Sequence, residues 1–175
     1  MHGIPHFCIS IALEELKPNG DSEVIAGVIH APILHETFVA EKGEGAYLNR
    51  HRLQVSERSK LDECLVGNYI RSADKELEAA NVKTIHDLPC NMRVLGSAAL
   101  ELAYVAAGKL DGFYCRHLKP WDVAAGILMI REARGIVTDM QGSRKIFKTG
   151  SIIATNQGID TALRKVVEKN YKKLF

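Results

Sequence analysis

Lys119-Pro120-Trp121-Asp122-Val123-Ala124-Ala125-Gly126 is the stretch that decides how this chain is read. A proline has a fixed φ and no N–H, so Pro120 fits just before or at the start of a helix and not in its interior. From Trp121 onward the residues are apolar and small through Ile127-Leu128-Met129-Ile130, which predicts a long apolar helix ending near Arg134. Asp122 falls in its first turn, where free backbone amides and the helix dipole favour negative charge. Such a carboxylate can do two things. It can cap the helix, or it can stay ionised as part of a cation site. The eight residues alone favour the cap, and the rest of the chain shifts the balance.

Outward from this helix, strands alternate with helices. Cys64 to Ile70, Met92 to Leu95, Gly112 to Cys115, Gly135 to Thr138 and Ser151 to Thr155 read as strands. Asp74 to Val82, Gly96 to Gly108, Trp121 to Arg134 and Gly158 to Leu174 read as helices. That alternation argues an α/β layer. Before it, short strands read as antiparallel β: Phe7 to Leu13, Val24 to His30, Thr37 to Ala40, Ala46 to Leu48 and Arg52 to Val55. They are punctuated by Lys17-Pro18-Asn19-Gly20-Asp21 and by the Gly-x-Gly of Gly43 to Gly45. The Gly-x-Gly lacks the helix and the Lys-Ser/Thr of a phosphate loop and reads as a hairpin turn. The polar stretch Ser56 to Asp62 separates the two halves.

Composition excludes several classes. The 175 residues fit one sizeable domain or one domain plus part of another. The hydrophobic share of 46% and the charged share of 25% are those of a soluble globular protein. Net charge is +2 and the basic residues thicken only towards the last helix, so direct nucleic-acid binding is not expected. No apolar run is long enough to span a membrane, and the N-terminus shows no signal-peptide pattern. Cys8, Cys64, Cys90 and Cys115 form no Cys-x-x-Cys pair and read as cytosolic thiols, which places the protein in the cytoplasm. The seven histidines are scattered and suggest no metal site.

Gly96-Ser97-Ala98-Ala99 follows a strand and opens a helix. Its small residues let a ligand approach the backbone, and free amides at a helix start bind phosphate or hydroxyl oxygens. It also reads as an ordinary serine cap on an alanine-rich core helix. Two helix starts, one offering amides and one offering a carboxylate, are separated by one helix and one strand. At the C-terminal edge of parallel strands both face one crevice. Amides for anionic oxygens beside a carboxylate for a cation suit a phosphate ester and Mg²⁺.

At this point the chain resembles the inositol monophosphatase family of Mg²⁺-dependent sugar-phosphate phosphatases, in particular its bacterial extragenic-suppressor branch. The resemblance rests on His2-Gly3-Ile4-Pro5-His6-Phe7, Gly43-Glu44-Gly45-Ala46-Tyr47 and Arg93 to Ala99. It continues through Ala106 to Gly112, Pro120 to Gly126 and Glu132 to Gly135. It implies a layered α/β sugar-phosphatase fold, with residues 1–58 the remnant of an antiparallel β-sheet domain and 59–175 a C-terminal α/β domain. It also implies a metal-ligating and substrate-side role for Asp122 and substrate contacts from Gly96, Ser97 and Ala98. A phosphate monoester is the implied substrate, and a homodimer is common among relatives. Relatives of the suppressor type are further implied to associate with the transcription and ribosomal-RNA maturation machinery, the alternative to an enzyme.

Two departures qualify that picture. The family's Asp-Pro-(Ile/Leu)-Asp-Gly-Thr motif and a Gly-Glu-Glu-type acidic segment, expected upstream of His2-Gly3, are not in this sequence. Mg²⁺ needs several oxygen ligands, so the 175-residue chain reads as truncated, with an incomplete Mg²⁺ site and negligible activity alone. The absent part would be a helical pair on the antiparallel sheet, which leaves Phe7, Ile9, Ile11, Val24 and Val28 expected on an exposed apolar face. The second departure is Cys115, where inositol-phosphate hydrolases usually carry a glutamate that receives a substrate hydroxyl. A thiol is a poor acceptor, so a sugar or polyol phosphate is a safer expectation than inositol phosphate. Specificity is also expected from a loop at Leu77 to Leu88.

Overall fold

The computed structural model describes residues 3–69 and 74–172. His2, the expected end of one strand at Ile70 and the expected end of the last helix at Leu174 lie outside them.

The first third is an antiparallel meander of five strands: β1 (Ile9–Leu16), β2 (Ser22–Ala31), β3 (Glu36–Glu41), β4 (Gly45–Leu48) and β5 (His51–Arg52), hydrogen-bonded in chain order. β5 is shorter than its apolar pattern suggests. Val55 leaves the sheet, and its amide donates to the Ala133 carbonyl at the far end of a helix.

Among the described residues the rest builds a second sheet, one 3₁₀ turn (Leu61–Glu63) and five α-helices: β6 (Leu65–Asn68), α1 (Lys75–Asp87), β7 (Asn91–Arg93), α2 (Ala98–Ala106), β8 (Gly112–Cys115), α3 (Pro120–Glu132), β9 (Ile136–Thr138), α4 (Ile146–Thr149), β10 (Ile152–Thr155) and α5 (Asp160–Tyr171). The strand order is β7-β6-β8-β10-β9. β6 is parallel to β7 and β8, whereas β10 runs against both β8 and β9. The sheet is therefore mixed.

Side-chain alternation sorts this sheet into two cores. Phe113, Cys115, Ile152 and Ala154 join the cluster holding α2 and α3, while Val66, Tyr114 and Ile153 join the one holding α1 and α5. That is the period-two pattern of a sheet buried on both faces. On its inner side α2 and α3 pack against each other, and α3 also lies on β1, β2, β3 and β4. The layers thus run first sheet, α2 with α3, second sheet, α1 with α5. α3 is apolar nearly all round because it has protein on most sides. Its residues Val123, Ala125 and Gly126 to Ile130 are buried. Gly126 is required by the packing, since a Cβ there would sit 2.6 Å from the Leu102 Cβ of α2.

Two expectations change, and one element is new. The segment expected as a loop at Leu77 to Leu88 is helix to Asp87, because the Asp74 carboxylate accepts from the Glu76 and Leu77 amides and nucleates α1. The four-residue α4 has no sequence signal long enough to read. Val24 was expected on the open face of the first sheet but packs inward. The register slips between Leu13 and Glu14 of β1, leaving Ile25 as the extra residue of β2, so that Val24 pairs with Glu14 and not with Glu15 and turns to the other face.

Candidate functional site

β7 leads through Gly96 into α2, and β8 leads through residues 116–119 into α3. Because β6, β7 and β8 are parallel, both helix starts emerge at the same sheet edge.

At the start of α2, Gly96 has φ +83°, a left-handed backbone that favours glycine. Ser97 is extended and caps the helix, its Oγ accepting from the Leu100 amide at 3.5 Å and lying 3.6 Å from Cys8 Sγ. Ala98 follows, half-buried in the first turn. The Gly96 amide, which sequence reading offers to a ligand, donates instead to Glu101 Oε1 at 3.2 Å. Glu101 is only 1% exposed. Burial pushes its carboxyl up to about 7, against the pull of the Gly96, Leu95 and Ser97 amides. Sequence reading missed it. The available signal was a lone acid in an otherwise apolar stretch, Ala98 to Ala106.

At the start of α3, Lys119 is extended (φ −97°, ψ 158°) and Pro120 opens the helix. Asp122 is half-buried, and its Oδ2 accepts from the Lys119 amide at 2.8 Å while its own amide donates to the Lys119 carbonyl. The capping role is therefore real, and it engages one of the two carboxylate oxygens. Between the helix starts lies Cys115, at the end of β8, its thiol donating to the Arg116 carbonyl at 3.3 Å. Burial pushes this thiol up to about 12, and the charges of Glu101 and Asp122 both add to the rise. A thiol buried and raised in this way stays protonated near neutral pH.

Other readings resolve simply. Glu132 at the end of α3 accepts from the Gly43 and Gly45 amides at 2.9 and 3.0 Å, so a side chain of the protein occupies the Gly-x-Gly turn. His6 packs against Tyr104, and desolvation lowers its pKa. Among the described residues no three His, Cys, Asp or Glu side chains come together as a metal-binding group.

This arrangement agrees with known proteins. Residues 1–172 match the family model of the inositol monophosphatases. The chain belongs to the inositol monophosphatase family. It is 42% identical over 171 residues to the fructose-1,6-bisphosphatase/inositol-1-monophosphatase of Thermotoga maritima, covering 97% of this chain and 63% of that protein. It is 40% identical over 163 residues to the Nus factor SuhB of Salmonella typhimurium, covering 91% and 59%. The crystal structure of extragenic suppressor protein SuhB from Bartonella henselae superposes with a TM-score of 0.88 at 42% identity, covering 96% of this chain and 65% of that one. This family member therefore spans less than two thirds of the length of these relatives. No described helix is long and apolar enough to cross a membrane.

Proposed function

We propose that this chain forms the substrate-side part of a phosphomonoesterase of the inositol monophosphatase type, acting on a sugar or polyol phosphate. The observation that carries the reading is the pairing of two helix starts, those of α2 and α3, at one parallel-strand edge with the end of β8 at Cys115 between them. In this reading the turn from Gly96 to Ala98 faces the substrate, with the Ser97 hydroxyl and the Ala98 amide receiving its oxygens while the Gly96 amide stays on Glu101. Asp122 gives one carboxylate to a Mg²⁺ site whose other ligands the described residues do not supply. Cys115 places a hydrogen-bond donor of little strength where a hydroxyl acceptor is expected, which favours substrates that make no demand at that position. The protein works in the cytoplasm, and a homodimer is the expected form on family grounds.

The test is phosphate release from inositol 1-phosphate and fructose 1,6-bisphosphate with Mg²⁺, using the 175-residue chain and its Asp122→Asn variant. The chain alone is expected to turn over negligibly, since one carboxylate cannot hold Mg²⁺ against water. Metal-dependent turnover by the purified chain, unaffected by Asp122→Asn, would refute both the site and the incompleteness.

A second reading is favoured by the relative named as a Nus factor. In it the chain is a non-catalytic partner of the transcription and ribosomal-RNA maturation machinery. The two readings part at Asp122. The enzyme needs its charge, whereas an interaction surface tolerates Asp122→Asn in a cell-based complementation assay.

A further inference from the structure

Glu101 is a buried carboxylate that the proposed reaction does not use. Oε1 holds the Gly96 amide at 3.2 Å, and Oε2 fills the space over Gly67 of β6, where a Cβ would collide with it. Oε2 has no hydrogen-bond partner among the described residues. The Leu95 and Ser97 amides on either side of Gly96 also favour its charged form. Successive backbone amides around an anion form a nest, and here the anion belongs to the protein. A buried carboxylate with an unsatisfied oxygen is costly, and a glutamine or leucine would fill the same helix position more cheaply. The arrangement is explained if the charge has a task.

We propose that Glu101 is the positioning residue of the Gly96–Ala98 turn. By drawing the Leu95, Gly96 and Ser97 amides inward, the carboxylate holds Gly96 left-handed. The Ser97 hydroxyl and the first-turn amides of α2 are thereby left facing the crevice. This deepens the proposed function and rests on its assignment of the turn to substrate. The groups around Glu101 are Gly67 on β6, the three turn amides and, within reach of its charge, Cys115 on β8. No charged group from β6, the turn or α3 contributes to its shift among the described residues.

The experiment is a pH titration of the ¹⁵N-labelled 175-residue chain from about pH 5 to about pH 9, followed by titration with inorganic phosphate at about pH 8. In wild type the Leu95, Gly96 and Ser97 amide resonances are expected to move together with one midpoint near 7. Glu101→Gln, which keeps the shape and removes the charge, is expected to abolish that transition. It is also expected to weaken phosphate binding at the Ala98 and Ala99 amides about tenfold, the scale of one charge-assisted hydrogen bond. Gly67→Ala tests the same anchor from the strand side, because its methyl displaces Oε2, and is expected to weaken phosphate binding likewise. Flat amide shifts in wild type, or unchanged phosphate binding in Glu101→Gln, would overturn the inference. If wild type titrates but phosphate moves none of residues 97–99, the substrate assignment of the turn falls and the anchoring stands.

Discussion

A carboxylate can do a ligand's work inside a protein, as Glu132 and Glu101 do here. Glu132 binds the Gly43 and Gly45 amides 89 and 87 residues away in sequence, pinning the β3–β4 hairpin to the end of α3. Glu132→Ala removes two charge-assisted hydrogen bonds and should cost about 1.5–3 kcal/mol in a urea melt, with Glu132→Gln retaining part of it. Glu101 behaves oppositely towards stability. Its folded pKa of about 7 lies above the ordinary 4.5, so the folded state binds the proton more tightly. The stabilising contribution is complete below about pH 4.5 and is lost as pH rises through about 7. Melts of wild type should therefore show stability falling across that window through this group. Glu101→Gln should flatten the fall and be the more stable protein at about pH 8, while losing the turn geometry. A variant that is equally pH-sensitive refutes the assignment. Asp122 was legible in the sequence because proline, tryptophan and helix start are local signals. Glu101 and Glu132 were not, since their partners are set by the turn ahead of α2 and by a distant hairpin, which no local pattern records.

Among the elements, α3 carries the most information. Its uniformly apolar composition marked it as central, and the structure seats it between the first sheet and α2. The alternation of strands and helices after residue 60 was equally legible, because period and length distinguish the two. Direction was not. β10 reads like the other buried strands, and only its pairing shows that it runs against β8 and β9. Nor was Gly126 legible as a contact residue, since a glycine in a helical pattern signals only weakness. Its Cβ-free surface admits Leu102. Gly126→Ala should thus destabilise by about 1–3 kcal/mol despite the better helix propensity of alanine. Leu102→Ala should destabilise on its own through the cavity it leaves. The double variant should be less destabilised than the sum, a coupling that a double-mutant cycle reads directly. Strict additivity would mean that the two helices do not meet through this pair.

For the molecule as a whole, the layers share one core on their inner side: Ile29 and Phe38 of the first sheet join Leu100, Leu102 and Met129 in a single cluster. The polar stretch near residue 58 is bound in as well, with Arg58 on the buried Asp111 at 3.0 Å. It therefore marks a change of layer, and thermal unfolding should show one cooperative transition and not two. The opposite face of the first sheet has no such cover among the described residues. Ile9, Ile11 and Leu13 of β1 are 56%, 62% and 58% exposed, and Ile11 lies across from Val28, which lies across from Val39. These three form an apolar row over three strands, bordered by β1 as an edge strand. Contiguous apolar surface beside an open edge drives association. The 175-residue chain should therefore bind 8-anilinonaphthalene-1-sulfonate while folded and sediment with a concentration-dependent mass. Ile11→Thr combined with Val39→Thr keeps strand-forming β-branched residues and removes apolar surface that is already in water, so it should lower both signals without lowering the melting temperature. A chain that stays monomeric over the whole concentration range and takes up no dye would show that the row is not sticky in solution.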